Sequence, residues 1–363
     1  MKADKIVKKQ IVNLPVYETG KPIEYVAREF GLDPDGILKM ASNENPLGAS
    51  PKAVEAVKNH LGGLNYYPDG GCYELRQKLS KKWGLAPSQF AFGNGSNEIL
   101  EFVAQCFVGE GDETVFGAQS FIVYKLATIF MGGVCKSVPM LGMKYDLDAM
   151  RDAVTDKTKV VFMTNPNNPT GCVVKQSEVE NFVRSLPENV VFCYDEAYTE
   201  YQRDPVDLRG LIAEGYNVIC LRTFSKIYGL AGLRIGYSYS SEEIAGYINR
   251  VREPFNVNSL AQVAALAALD DDDFVRLSRD VNDAGRKQFE KAFEELGLEY
   301  FSDGANFVMV KVADAPKKFL EMQKRGVIVR PNVGYGLPDW LRITIGKPEQ
   351  NERCIEELSK LVK

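Results

Sequence analysis

Between residues 90 and 222 the chain alternates short apolar runs with amphipathic runs, and this alternation limits its possible folds more than any other feature. The apolar runs have strand length, and helical patterns such as SEVENFVRSL (177–186) separate several of them. Strands that alternate with helices form a largely parallel sheet with helices on both faces. We therefore predict an α/β fold of this kind. The predicted strands are 90–93, 113–117, 134–140, 159–164, 190–196 and 217–222.

After about residue 253 the pattern changes to one long charged helix (272–297), short strands and a closing helix (349–363). The short strands are predicted at 305–312, 326–331 and 340–346. This order predicts a second, smaller α+β domain. We predict residues 1–45 as an N-terminal arm with part of the small domain, 46–252 as the large ligand-binding domain, and 253–363 as the small C-terminal domain.

Charge and cysteine content exclude several classes of protein. The net charge of -5 argues against a general nucleic-acid or anionic-membrane partner. No stretch reaches the roughly 18 apolar residues of a membrane-spanning helix, and the first residues do not resemble a secretory signal. Seven cysteines without a CxxC pair predict reduced thiols and a cytoplasmic protein.

The chain has one histidine, His60, which limits its possible catalytic chemistry. Serine–histidine or cysteine–histidine catalysis would depend on this one residue, and histidine-rich zinc sites are excluded. His60 follows the helical pattern PKAVEAVKNHL and precedes two glycines, so we predict the end of a helix there, without a chemical role. General base chemistry then falls to Lys, Asp, Glu, Tyr or Cys.

Two unusual segments follow predicted strands, where ligands of parallel sheets bind. GNGSNE (93–98) opens a helix with glycines, a hydroxyl and amides, a combination that suits a phosphate but lacks the ending of a nucleotide P-loop. NPNNPTG (165–171) could present a rigid amide to a ring hydroxyl. Each segment could also be an ordinary turn.

Two further segments supply a carboxylate and an amine. Asp195 in DEAY ends an apolar strand and needs a cationic partner such as a protonated pyridine nitrogen, although it could be a helix cap or, less readily, a metal ligand with Glu196. TFSKIYGLAGLR (223–234) sets Lys226 between small hydroxyls and Arg234. A phosphate cradle, a ring-oxygen amide, a pyridinium carboxylate and a reactive amine together indicate pyridoxal phosphate chemistry.

The same segments resemble a known family over essentially the whole chain. NPNNPTG, DEAY, and SK with an arginine eight residues after the lysine resemble the fold-type I pyridoxal-phosphate aminotransferases. Within that superfamily the chain is most similar to the histidinol-phosphate aminotransferases. That likeness rests on LPVYETGKP, MASNENPLG, NYYPDGG, GNGSNEIL, RTFSKIYGLAGLRIG, VIVRP and LRITIG.

The resemblance implies a role for each matching residue. Lys226 would hold the cofactor as a Schiff base and move the substrate proton, Asp195 would pair with the pyridine nitrogen, and Phe121 would stack on the ring where many relatives have tyrosine. Asn168 and Tyr198 would bind the ring hydroxyl. The implied phosphate ligands are Ser96, Asn97, Thr223, Ser225 and Arg234, with Tyr67 from a neighbouring subunit.

The resemblance also implies a substrate. Arg342 would grip the substrate's anionic end, with Arg330 and Tyr17 as further anion contacts, although either arginine could be an ordinary strand-edge charge. The implied enzyme is a homodimer that transfers an amino group between L-histidinol phosphate and 2-oxoglutarate, giving imidazole acetol phosphate and glutamate. Two alternatives stay open: an aromatic amino-acid aminotransferase and a phosphothreonine decarboxylase of the same fold. A regulator with an inactive cofactor site is disfavoured because every catalytic position is filled.

Overall fold

The structure, a computed structural model, describes residues 3–12, 14 and 20–362. Among these residues, no helix is both long and apolar enough to cross a membrane. The strands are β1 (Leu38–Lys39), β2 (Phe90–Gly93), β3 (Glu113–Gly117), β4 (Val134–Val138), β5 (Thr158–Thr164), β6 (Val191–Asp195), β7 (Val218–Thr223), β8 (Gly236–Tyr239), β9 (Tyr300–Phe301), β10 (Phe307–Lys311), β11 (Val327–Ile328), β12 (Arg330–Asn332) and β13 (Leu337–Thr344).

Helices surround these strands along the whole described chain. They are α1 (Lys9–Val12), α2 (Ile23–Phe30), α3 (Pro51–His60), α4 (Tyr73–Trp83), α5 (Ser96–Phe107), α6 (Val123–Phe130), α7 (Leu147–Asp152), α8 (Gln176–Ser185), α9 (Arg209–Ala213), α10 (Glu242–Val251), α11 (Ser259–Ala268), α12 (Asp272–Glu295), α13 (Ala315–Lys324) and α14 (Pro348–Val362). His60 is the last residue of α3, so its predicted place at a helix end is confirmed.

The central sheet has seven strands in the order β2-β8-β7-β6-β5-β3-β4. β3 to β7 pair in parallel, as the alternation of strands and helices predicted. β8 was not predicted: it lies antiparallel between β2 and β7. The predicted α/β class with a largely parallel sheet is therefore confirmed, with one antiparallel strand inserted near an edge.

Alternate residues of the central strands enter cores on opposite faces of this sheet. In β6, Phe192 and Tyr194 lie in one core, and Val191 and Cys193 lie in the other, with α5 and α6. This period of two follows from the pleat of a strand. Because both faces are covered, the strands can be apolar throughout, as their sequences are.

The C-terminal part forms a smaller antiparallel sheet in the order β12-β13-β10-β9. Its core includes apolar residues of β10 and β13 and aromatic and aliphatic residues of α12 and α14. The predicted strand at 326–331 is in fact two strands in different sheets, because β11 pairs with β1 whereas β12 pairs with β13. The exact domain boundaries stay a prediction.

Candidate active site

A cavity of about 310 Å³ lies at the carboxyl ends of β5, β6 and β7. It brings together residues that are far apart in the sequence and that the sequence analysis singled out separately. Their chemical roles stay predictions, but their common location is a property of the fold. The predicted residues that line this cavity are Ser96, Asn97, Phe121, Asn168, Asp195, Tyr198, Thr223, Ser225, Lys226 and Arg234.

One wall of the cavity offers donors for an anion. α5 begins at Ser96, and the start of a helix presents backbone N–H groups and the positive end of the helix dipole. Arg234 Nη1 lies 3.5 Å from Ser225 Oγ, and the Thr223 hydroxyl accepts from Ser225 N at 3.1 Å. Hydroxyls, a guanidinium and a helix start are the donor set that a phosphate requires.

Two glycines allow these elements to approach closely. Gly95 has φ +83°, and a Cβ there would lie 2.3 Å from Arg234 Nη2. A Cβ on Gly236 would lie 2.5 Å from Ser96 N. Side chains at either position would therefore push Arg234 or the start of α5 out of place.

Lys226 lies in the same cavity, and it forms no salt bridge with the part of the chain that the structure describes. Its Nζ donates to Ser42 O at 3.3 Å and lies 5.6 Å from the centre of the Tyr198 ring. Burial, and then the positive charge of Arg342, lower the pKa of Lys226 to about 8. Roughly a tenth of this amine is therefore unprotonated at pH 7, which makes it a usable nucleophile and base.

Asp195 ends β6 with a side chain that is only 4% exposed. Its Oδ1 accepts from Ala197 N at 3.1 Å, and its Oδ2 accepts from the Tyr124 hydroxyl at 3.2 Å. Burial raises the pKa of Asp195 to about 6, and these two hydrogen bonds oppose that rise. A cation in the cavity would stabilise this buried carboxylate.

Asn168 and Tyr198 are oriented by partners outside the cavity. Asn168 Oδ1 accepts a hydrogen bond from Arg342 Nη1. The amide N–H groups of Asn168 can therefore donate to an oxygen of a ligand in the cavity. The Tyr198 hydroxyl accepts from Asn43 Nδ2 at 3.0 Å, so its own proton can be donated elsewhere. Burial raises the pKa of Tyr198 to about 12, so the phenol keeps that proton at neutral pH.

The two arginines predicted to bind the substrate are direct neighbours across two strands. Arg330 of β12 pairs with Arg342 of β13, and residues paired in this way project to the same face of a sheet. Arg342 is 7% exposed and donates to Ala41 O at 2.8 Å. Two cationic side chains that project from one face of a sheet can contact the same anion. Tyr17, the third predicted contact, lies outside the described residues.

Tyr67 lies elsewhere on the chain. Its ring stacks on Phe255 with centroids 5.0 Å apart and is 84% exposed. In the described part of the chain, it lines a different cavity, beside His60. A role at the phosphate therefore needs a second copy of the chain, as the resemblance implied.

The sequence analysis missed several residues that build the site. Ser42 and Glu44 line the cavity, and Asn43 holds Tyr198. All three lie in MASNENPLG, a segment that supports the resemblance to the family but in which the sequence analysis assigned no residue a role. Tyr124 had a weaker signal: it follows Phe121 by three residues, at helical spacing, in an otherwise apolar stretch.

These residues fit pyridoxal phosphate by their chemistry. An anion cradle, an amine with a lowered pKa, a buried carboxylate and two oriented donors meet in one cavity. Among the described residues, no group of three or more potential metal ligands is found. The arrangement can hold an anionic aromatic aldehyde and exchange protons with it.

Comparisons with known proteins agree with this chemistry. The aminotransferase class I and II family model matches residues 35–358. A histidinol-phosphate aminotransferase of Akkermansia muciniphila is 44% identical over 363 residues, covering 100% of both chains. A histidinol-phosphate aminotransferase 2 of Hydrogenovibrio crunogenus is 47% identical over 356 residues, covering 97% of this chain and 95% of its own.

Solved structures show the same fold. A histidinol-phosphate aminotransferase of Sinorhizobium meliloti in complex with pyridoxal 5'-phosphate aligns with TM-score 0.88 and 27% identity, covering 98% of this chain and 97% of its own. A single mutant of the aspartate aminotransferase of Thermus thermophilus aligns with TM-score 0.85 and 22% identity, covering 98% of this chain and 99% of its own, a likeness of fold alone. The chain belongs to the class I and II aminotransferase family.

Proposed function

We propose that this enzyme transfers an amino group between L-histidinol phosphate and 2-oxoglutarate, giving imidazole acetol phosphate and glutamate, as a step of histidine biosynthesis. The observation that carries the substrate assignment is the Arg330–Arg342 pair on one face of the small sheet. A phosphate dianion offers more acceptor oxygens than a carboxylate and suits two guanidinium groups. The names of the curated relatives, at 44% and 47% identity, support this substrate.

We propose pyridoxal 5'-phosphate as the cofactor. Its phosphate would lie against the start of α5, Thr223, Ser225 and Arg234, and its ring between Phe121 and the residues across the cavity. Asp195 would form an ion pair with the protonated pyridine nitrogen. The Asn168 amide and the Tyr198 hydroxyl would donate hydrogen bonds to the ring oxygen. When bound, the cofactor supplies an electron sink that stabilises negative charge at the substrate's α-carbon.

Lys226 would perform the proton transfers. Its Nζ would take the α-proton of the amino donor and deliver it to the cofactor side, and the reverse in the other half-reaction. Its lowered pKa of about 8 suits a group that must both accept and release a proton near neutral pH. His60 ends a helix and takes no part.

We propose a homodimer with shared sites and a cytoplasmic location. Tyr67 and its neighbours Tyr66 and Leu64 are largely exposed, at 84%, 74% and 58%, which favours coverage by a second copy. All seven cysteines are free, which is typical of reducing compartments.

Half-reactions of the purified enzyme with histidinol phosphate, phenylalanine and glutamate, measured side by side, test the substrate. We expect histidinol phosphate and glutamate to react and phenylalanine to react more slowly. A preference for phenylalanine would establish the aromatic aminotransferase instead. Release of carbon dioxide from phosphothreonine would establish the decarboxylase.

The arginine pair predicts a difference between the two substrates. Removing a charge-assisted contact costs about 1.5–3 kcal/mol, roughly ten- to a hundredfold in affinity. We expect Arg330→Ala to lower kcat/KM for histidinol phosphate by about that factor but to affect glutamate clearly less, whereas Arg342→Ala harms both.

Arg325→Ala is the matched control, because Arg325 is exposed, does not line the cavity, and pairs with Glu357 of α14. It should leave both substrates unchanged. Equal losses for histidinol phosphate and glutamate in Arg330→Ala would refute the phosphate-specific role.

A further inference from the structure

Beneath the cavity, the hydroxyl of Tyr124 is bonded to Asp195. The Tyr124 hydroxyl lies 3.2 Å from Asp195 Oδ2, and the two side chains are 0% and 4% exposed. Tyr124 belongs to α6 and Asp195 to the end of β6, so the contact joins two segments 71 residues apart. Burial raises the pKa of Tyr124 well above its ordinary value, so the phenol is the donor and the carboxylate the acceptor.

The ring of Tyr124 is fixed on both sides. It stacks on Phe162 of β5 with centroids 4.9 Å apart and planes inclined by 5°. The ring of Phe121 meets it edge-on, with centroids 5.9 Å apart and planes at 89°. Thr128 Oγ1 donates to the Tyr124 carbonyl at 2.7 Å. The hydroxyl is therefore presented to Asp195 at a set position, and the same ring supports the predicted stacking residue.

We propose that Tyr124 is a positioning residue that keeps the Asp195 carboxylate charged and aimed at the pyridine nitrogen of the cofactor. The inference rests on the proposed pyridoxal phosphate site and adds a residue to it. Asp195 Oδ1 is held by Ala197 N, and Oδ2 by Tyr124, so the carboxylate has a fixed orientation in the cavity wall.

The negative charge of the buried Asp195 carboxylate depends on the hydrogen bonds that it accepts. Burial raises the pKa of Asp195 to about 6, and the bond from Tyr124 lowers it against that trend. The Tyr124 hydroxyl is one of the groups that oppose the effect of burial on the pKa of Asp195. Without it this pKa rises further, and the carboxyl group stays protonated up to a higher pH. Other titratable groups that interact with Asp195 are Cys193, Glu196, Tyr145, Tyr198 and Lys226.

The test measures equilibrium binding of pyridoxal phosphate to the cofactor-stripped full chain between pH 5 and 8. Tyr124→Phe removes one oxygen and keeps both ring contacts. We expect affinity to fall about tenfold at pH 5 and about twofold at pH 7, as a rise of about one unit in the pKa of Asp195 from about 6 predicts. We also expect the pH below which binding weakens to rise by about one unit, because only the charged carboxylate can pair with the pyridinium.

Tyr194→Phe is the matched control. Tyr194 is equally buried, precedes Asp195 in β6, and points to the opposite core, where its hydroxyl accepts from Asn165 Nδ2 at 2.8 Å. Loss of this hydroxyl should leave the pH dependence of cofactor binding unchanged. An equal shift in both variants would mean general loosening of the core and would overturn the inference.

A double-mutant cycle separates action through Asp195 from any other effect. If Tyr124 acts through the carboxylate, Tyr124→Phe should have almost no effect on cofactor binding in an Asp195→Asn background. The same loss in both backgrounds would overturn the inference. 3-Fluorotyrosine placed at position 124 is a second variant of nearly unchanged shape. Its more acidic hydroxyl donates a stronger hydrogen bond to Asp195 and lowers the pKa of that carboxyl group. Cofactor binding should therefore persist to a lower pH than in the parent.

The parent chain distinguishes failure of this inference from failure of the proposed function. A parent that does not bind pyridoxal phosphate overturns the proposed cofactor and the role of Tyr124 with it. A parent that binds, beside a Tyr124→Phe variant with the same affinity and pH dependence, overturns only the role of Tyr124.

Discussion

Lys226 places a cationic side chain where the surroundings oppose its charge. Burial, Arg342 and Arg234 all lower its pKa, and the opposing effects of Glu44 and Asp195 do not restore it. A lysine with only a structural role gains nothing from such a place. A lysine that must be partly unprotonated near pH 7 requires it.

This conflict predicts that Lys226 destabilises the cofactor-free protein. The pKa of Lys226 is about 8 in the folded protein, against 10.5 for an ordinary lysine. Between these two pH values the unfolded chain binds more protons at this residue than the folded chain does. The free energy of unfolding therefore rises with pH across this window. Lys226→Met should raise the free energy of unfolding at pH 7, by at most about 3 kcal/mol. The gain should shrink above pH 8 and vanish above about 10.5.

Urea unfolding at pH 7 and pH 10 measures this difference. Lys311→Met is the control, because Lys311 is exposed and paired with Glu299. The same variant at position 226 should also lose turnover. A stability gain of equal size at pH 7 and pH 10 would contradict the burial argument.

At the scale of elements, the ends of β6 and β7 carry different chemistry on their two faces. Asp195 and Thr223 face the cavity, whereas Glu196, which follows Asp195, and Arg222, which precedes Thr223, form a buried ion pair. Arg222 Nε donates to Glu196 Oε2 at 2.6 Å, and its guanidinium lies 4.2 Å from the centre of the Trp83 ring. The network locks together the two strand ends that carry site residues.

Breaking this network should destabilise the fold strongly. Arg222→Ala leaves Glu196, which is 0% exposed, without its cation. We expect a loss of about 3–5 kcal/mol in the free energy of unfolding, because an uncompensated charge stays buried. The double variant Arg222→Met with Glu196→Gln removes both charges and should recover much of the lost free energy of unfolding.

Thermal and urea unfolding of the three proteins provide the measurement. Arg184→Ala, which breaks an exposed pair with Glu214, is the control and should cost under about 1 kcal/mol. A loss in Arg222→Ala no larger than in the control would show that the buried network does not hold the strand ends.

At the scale of the whole molecule, the surface around Tyr67 is unusually apolar. Large side chains there are exposed, among them Leu61, Leu64, Tyr66, Tyr67 and Tyr73. Tyr67 is also the one predicted cofactor ligand that lies away from the cavity of its own chain. Both observations favour a dimer in which each copy completes the site of the other.

Mixed dimers test this sharing. Lys226→Ala and Tyr67→Ala chains, each inactive alone, should recover on the order of a quarter of the parent's activity when mixed, because half of the dimers contain one intact site. Lys226→Ala mixed with Asp195→Ala is the control: both substitutions lie in the cavity of their own chain, so no site becomes intact. No recovery in the first mixture, with subunit exchange demonstrated, would count against sharing.

The sequence by itself determined the frame of the site. Apolar runs with intervening helical patterns specified the parallel strands, and each polar motif follows its strand directly, so Ser96, Asn168, Asp195 and Lys226 had to meet at one edge of the sheet. These are local signals, since a pleat repeats every two residues and a helix turn every three or four. The chain also showed which chemistry the edge could perform.

Only the tertiary structure decided how these groups are held. Periodicity does not name a partner 71 or 174 residues away, yet Tyr124 holds Asp195 and Arg342 holds Asn168 across those separations. The insertion of β8 between β2 and β7, and the pairing of Arg330 with Arg342, likewise depend on strand order and register. Register and burial arise from the packing of the whole chain, and they determine both the orientation of the Asp195 carboxylate and the lowered pKa of Lys226.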